Sequence, residues 1–191
     1  MSAEDQRTTD RTRELTSSLV TRLRQGEAEA GALLDDLYRD ALFRFCWGYL
    51  GSTEEAEDAV QDICFKVLSA KDVSDAFRPW LYKVARNHCL NVLRGRAKRK
   101  DGHRLPAPSQ VCDALTGHLT RLANDELQSR VRELVNTLSE AQREALRLRY
   151  VEDLSRAEIA EVLDLPESVV KSRLFEGLKK LREQASLLEG R

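Results

Sequence analysis

The sequence predicts an all-α protein in two domains, and three observations carry that prediction. Helix-forming residues dominate and strand-like runs are absent. The capping box, a Ser whose side chain and a Glu or Gln three residues on satisfy each other's backbone N–H groups, recurs at Ser52/Glu55, Ser139/Gln142 and Ser155/Glu158. Between residues 101 and 124 the helical periodicity gives way to a polar stretch holding Gly102, Pro106 and Pro108. Residues 1–100 and 125–191 therefore read as separate domains joined by a linker, which a chain of 191 residues allows.

Each element has its own justification. Residues 1–10 read as a disordered tail. Leu15, Leu19 and Leu23 then recur every four residues and predict a helix over about 11–25, stopped by Gly26. Leu33, Leu34, Leu37, Leu42, Phe45 and Cys46 predict a second helix over about 27–49, ended by Gly51. Ser52 opens a third, with Ala56, Val60, Ile63, Cys64 and Val67 as its buried stripe. After a polar loop over 69–75, Pro79 suits the first turn of a fourth helix, in which Leu81, Val84, Ala85, His88 and Val92 face inward. In the second domain a helix ends near Thr137, and Ser139 opens another that runs through Tyr150. Ser155 starts a short helix, Asp164 is a residue type that tolerates a left-handed turn, and Pro166 suits the start of a last helix. There Val170, Leu174, Leu178 and Leu181 form one stripe.

Composition narrows the function. Hydrophobic content is 41% and charged content 33%, with a net charge of -1 that hides an asymmetry. Glu54, Glu55, Glu57, Asp58 and Asp62 carry no basic residue among them, whereas Arg94, Arg96, Lys98, Arg99, Lys100 and Arg104 face a single Asp101. One chain thus offers an acidic face to one partner and a basic face to another. No apolar run suits a signal peptide or a membrane span, so a cytoplasmic protein without membrane insertion is expected. The four cysteines lack paired ligand spacing, and His88-Cys89 and Cys112 with His118 do not have zinc-site spacing; no metal and no cofactor is expected.

Three faces carry chemistry. On the third helix Glu55, Asp58, Gln61, Asp62 and Phe65 lie opposite the buried stripe, a carboxylate row with one apolar anchor for a basic partner. On the fourth, Lys83, Arg86, Asn87 and Arg94 face outward with Trp80 and Asn91 at the edges. Cations for phosphates, amides for base edges and a ring for stacking suit nucleic acid. His88, on the apolar side, reads as a packed histidine. On the last helix Ser168, Ser172, Phe175 and Lys179, flanked by Lys171 and Arg173, follow a tight turn as a recognition helix does in a DNA major groove.

These residues resemble a known family. Ala56-Glu57-Asp58-Ala59-Val60-Gln61-Asp62-Ile63-Cys64-Phe65 is similar to the region-two helix by which extracytoplasmic-function (ECF) sigma factors dock on core RNA polymerase. Phe77-Arg78-Pro79-Trp80-Leu81-Tyr82-Lys83-Val84-Ala85-Arg86-Asn87 resembles their promoter-melting and -10-reading segment, and residues 159–163 with 169–174 resemble their region-four helix–turn–helix, which reads the -35 element. The resemblance covers about 19–100 and 126–183 and extends to sigma factors governing cobalt and nickel resistance. It implies that Glu55, Asp58, Gln61, Asp62 and Phe65 bind core polymerase. Ser74, Trp80, Lys83, Arg86, Asn87, Asn91 and Arg94 would serve the -10 region and melting, with a base pocket beside Trp80. Ser168, Lys171, Ser172, Arg173, Phe175 and Lys179 would read the -35 duplex. It also implies an anti-sigma factor as partner, membrane-anchored with a cytosolic domain, and neither a catalytic residue nor a small-molecule substrate. Two positions depart from the family pattern: Asp164 stands where Gly is usual, and Glu176 where a basic residue is common. The alternative is a free-standing helix–turn–helix regulator, which would need paired half-sites and a dimer. A nuclease-like enzyme would need clustered ligands that the acidic row does not provide.

Overall fold

The structure, a computed structural model, describes residues 3–99 and 134–189, and these contain helices and no strands. The linker over 101–124, Cys112, His118 and the start of the second domain lie outside the described residues. In order the helices are α1 (Ala3–Gln25), α2 (Glu29–Leu50), α3 (Thr53–Leu68), α4 (Phe77–Arg99), α5 (Glu140–Tyr150), α6 (Arg156–Leu163) and α7 (Glu167–Glu189). A further helical turn covers 134–136. No described helix is long and apolar enough to cross a membrane.

The first helix starts at Ala3, inside the stretch expected to be a tail. Residues 3–7, Ala-Glu-Asp-Gln-Arg, are mostly helix formers with acids at the positive end of the helix dipole, so the turns before the apolar stripe still prefer helix. Gly26 and Gly51 end α1 and α2 in the left-handed conformation, each at φ 69°. The Gly51 N–H closes α2 on the Trp47 carbonyl at 2.8 Å.

Helices α1–α4 pack around Leu19, Leu42, Phe45, Ile63 and Leu81, all fully buried. Each such side chain contributes roughly 2 kcal/mol of transfer free energy. The second group, α5–α7, closes over Ala145, Leu148, Leu154, Ile159 and Val170. Leu178 and Leu181 continue that stripe half-buried. Helix α4 also packs along α6, and the two apolar cores form one cluster.

The capping boxes at Ser139/Gln142 and Ser155/Glu158 are both closed. The third is not. Ser52 accepts the Glu55 N–H at 3.4 Å, but the Glu55 carboxylate turns to Arg96 of α4. A guanidinium offers a stronger, charge-assisted partner than a neutral backbone N–H. Asp164 ends α6 at φ 58°, ψ 49°, the left-handed turn its residue type tolerates.

Candidate functional site

The α3 row is set by the helix's own amphipathicity. With Ala56, Val60, Ile63 and Val67 buried, Asp58, Gln61 and Asp62 are exposed, and Phe65 is 72% exposed. Glu55 stands apart from them, half-buried and paired with Arg96, which also donates to the Leu50 carbonyl at 3.1 Å. Asp62 lies 3.7 Å from Nε2 of His88, and Nδ1 of that ring faces the Lys66 ammonium at 2.6 Å. His88 is buried as expected. Burial, aided by Lys66 and opposed by Asp62, holds its pKa below the ordinary 6.5. The ring therefore stays neutral near pH 7, and its Nδ1 accepts a hydrogen bond from the Lys66 ammonium.

On α4 the expected nucleic-acid residues divide. Asn87, Asn91 and Arg94 are exposed, Arg94 donating to the Asn91 side-chain oxygen at 3.0 Å. Trp80 is half-buried against Phe77, ring centroids 5.7 Å apart. Arg86 does not face open solvent as the helix wheel suggested, whereas Lys83 is partly exposed. Lys83 lies 3.6 Å from Asp164, and Arg86 makes two hydrogen bonds to Glu144, at 2.7 and 3.3 Å. The wheel registers only the buried stripe of its own helix, and the second domain covers part of the opposite face. Ser74 sits half-buried in the 69–76 loop, which Arg24 of α1 holds by donating to the Val73 carbonyl at 2.6 and 3.2 Å and to Asp75 at 2.8 Å. Beside this loop runs a groove of about 750 Å³ lined by Arg24, Phe77, Arg78 and Tyr82; Trp80 is not part of its lining.

On α7, Ser168, Lys171, Ser172 and Lys179 are exposed, Phe175 is 67% exposed and Arg173 is half-buried. Ser172 donates to Glu176 at 2.9 Å, and Lys179 lies 3.8 Å from Glu183. A cleft of about 530 Å³ between α5, α6 and α7 brings Arg149, Tyr150 and Arg156 beside Lys171. The sequence pattern did not single out these three. Their signal is weak, because Arg149-Tyr150 and Arg156 lie on either side of a turn that only the fold brings together with α7.

The domains meet through side chains that sequence reasoning also passed over. Arg147 is 2% exposed and lies over the rings of Phe45 and Tyr49, at 4.8 and 5.2 Å from their centroids. It donates to the carbonyls of Arg44 and Phe45, the first at 2.9 Å. Tyr49 donates to Glu144, and Tyr82 donates to Glu152 at 2.7 Å. Burial first, then the facing carboxylate, pushes both phenols well above their ordinary range, so they remain donors. Arg78 reaches the carbonyls of Glu152 and Asp153. Cys46, Cys64 and Cys89 are free thiols, and a hydrogen bond with Cys89 together with burial pushes that of Cys46 up.

Comparison with known proteins gives two family matches. Residues 34–99 match the family described as Sigma-70 region 2, and residues 128–181 match Sigma-70, region 4. The chain is 30% identical over 174 residues to the ECF RNA polymerase sigma-E factor of Escherichia coli K12, spanning 82% of this chain and 87% of that one. Among solved structures its fold is similar to CnrH in complex with the cytosolic domain of CnrY, with a TM-score of 0.64 at 22% identity, covering 92% of this chain and 98% of that chain. It is also similar to the sigma factor RpoE in complex with the anti-sigma factor NepR from Bartonella quintana, with a TM-score of 0.62 at 23% identity over 83% of this chain and 98% of that chain.

Proposed function

Because the chain belongs to the ECF family of RNA polymerase sigma factors, which are transcription initiation factors and not enzymes, we propose that it docks on core RNA polymerase and carries it to promoters by reading one DNA element with each domain. The observation that carries this reading is the placement of two exposed rings. Phe65 stands in a carboxylate row on α3, and Phe175 stands among Lys171 and Ser172 on α7. An apolar anchor rimmed by carboxylates fits a basic protein surface. A ring among cations and hydroxyls fits a major groove with phosphates at its edges.

In this account Asp58, Gln61, Asp62 and Phe65 contact the polymerase, with Glu55 buttressing α3 through Arg96. Ser168, Lys171, Ser172, Arg173, Phe175 and Lys179 read the -35 duplex. Arg149 and Arg156, at the cleft beside Lys171, add phosphate contacts. Asn87, Asn91 and Arg94, with Lys83 and Arg86, serve the -10 strand, and Trp80 and Ser74 flank it. The likeness to RpoE, itself in complex with an anti-sigma factor, supports an anti-sigma factor as the inhibitory partner. The test is run-off transcription with purified core polymerase on genomic fragments. Transcripts that require this protein, sharing two upstream elements, are expected. Absence of such transcripts together with failure to co-migrate with core enzyme would return the chain to a free-standing DNA-binding regulator.

A further inference from the structure

Glu176 is a carboxylate on a surface that otherwise offers cations, hydroxyls and a ring. Lys171, Ser172, Phe175 and Lys179 surround it on α7, and all of these side chains are exposed. The packing beneath fixes its direction. Gly177 seats α7 on α5 so closely that a Cβ there would lie 2.9 Å from Cδ1 of Leu146. With Val170, Leu174 and Gly177 buried, a turn of about 100° per residue puts Ser172 opposite the buried stripe. Phe175 and Glu176 then lie about 50° to either side of that centre line. Glu176 therefore faces outward as fully as the ring does.

Its hydrogen-bond partner is the second observation. The favourable ion pair for a helical glutamate is a lysine four residues on. Lys180 holds that position but donates to the Thr137 carbonyl at 3.1 Å, and Lys179 lies 3.8 Å from Glu183. Oε1 of Glu176 instead accepts the Ser172 hydroxyl at 2.9 Å. Among the described residues that is its hydrogen bond, and Oε2 is left to accept another. With its proton directed at Glu176, the Ser172 oxygen also presents lone pairs. The two side chains together form an acceptor pair at the middle of the outward face.

In a major groove such a pair is repelled by O6 and N7 of guanine, O4 of thymine and N7 of adenine, and attracted by the amino groups of cytosine and adenine. Adenine carries N7 next to its amino group, whereas cytosine has no acceptor on its own edge. Cytosine is the base that fits. We propose that Ser172 and Glu176 read a cytosine amino group in the -35 duplex, which makes Glu176 a specificity-determining residue of this chain. This rests on reading α7 as the helix that enters the major groove. The carboxylate weakens attraction to phosphates at every sequence, and only a correctly placed cytosine offsets that loss. A repulsive group of this kind selects by penalising the wrong partner.

The test uses holoenzyme assembled from core polymerase and the full chain. It transcribes a pool of promoters, first identified by run-off transcription, in which the -35 duplex is varied one position at a time. The readout is the ratio of transcripts between bases at each position. The parent is expected to favour one C·G pair by roughly tenfold. In Glu176→Gln the amide gains a donor and matches N6 and N7 of adenine. At that position alone the preference should change from C·G to A·T, adenine taking the strand that held cytosine. Ser172→Ala should keep the cytosine but weaken its preference severalfold, because the carboxylate is no longer held. Both substitutions are at exposed positions and should leave helicity unchanged. A uniform rise in transcription for Glu176→Gln, with every base preference intact, would mean that the carboxylate only repels phosphates, and overturns the proposal alone. Failure of the underlying reading looks different. No -35 position then shows a preference in the parent and Phe175→Ala transcribes like it, which overturns both.

Discussion

Arg24 is the side chain through which α1 reaches the loop between α3 and α4. Its fork on the Val73 carbonyl and the Asp75 carboxylate fixes the loop that carries Ser74. Arg24→Ala is expected to lower transcription from duplex promoters while leaving core polymerase affinity unchanged, because α3 lies elsewhere. A template melted in advance should restore the activity; failure of that rescue would mean the loop has no part in opening. His88 gives a second prediction, in pH. Its folded pKa lies below 6.5, so above that value both folded and unfolded rings are neutral and the full stability is present. As pH falls below 6.5 the unfolded ring takes up protons first, and stability is lost until the folded ring titrates too. Urea midpoints measured at about pH 7.5 and about pH 5.5 should fall more for the parent than for His88→Gln. Equal falls would show that other groups carry the change. The burial of His88 was legible because its place on the apolar stripe is a local property of α4. The partners of Arg147 were not, since Phe45 lies 102 residues away and an arginine inside a helix reads as solvated.

Among the elements, the helix starts of the second domain were the most legible part of the fold, since a capping box is complete within four residues. Ser155→Ala removes the acceptor for the Glu158 N–H at 3.2 Å and should cost about 1 kcal/mol in chemical denaturation. The Ser52 box failed for a reason no local pattern contains: Glu55 has a competing cation on α4, 41 residues further on. The turn between α6 and α7 makes a sharper test. Asp164 holds φ 58°, where a β-branched side chain crowds the following carbonyl. Asp164→Val should destabilise by roughly 1–2 kcal/mol, whereas Asp164→Gly should keep the turn at little cost. A glycine variant as unstable as the valine one would mean that the Lys83 contact, rather than the backbone, is what Asp164 supplies.

Across the whole molecule a net charge of -1 conceals two surfaces built to different rules. The acidic row on α3 acts at a distance and is screened by salt, whereas Phe65 acts only on contact and is not. Phe65→Ala removes a ring that is 72% exposed, so the fold should be untouched and the melting temperature unchanged. If the ring is the anchor of the docking face, core polymerase affinity should fall by roughly ten- to a hundredfold, the range of one to two hot-spot increments. Asp58→Lys reverses one charge of the row without disturbing His88, which Asp62 faces. Its effect should be large at low salt and shrink as salt rises, while that of Phe65→Ala persists. Titration of labelled core enzyme at two ionic strengths therefore resolves the face into its two components. Salt-independent loss in the charge variant would place Asp58 in a desolvated contact rather than on a steering rim. Wild-type affinity in both variants would remove α3 from the polymerase interface altogether.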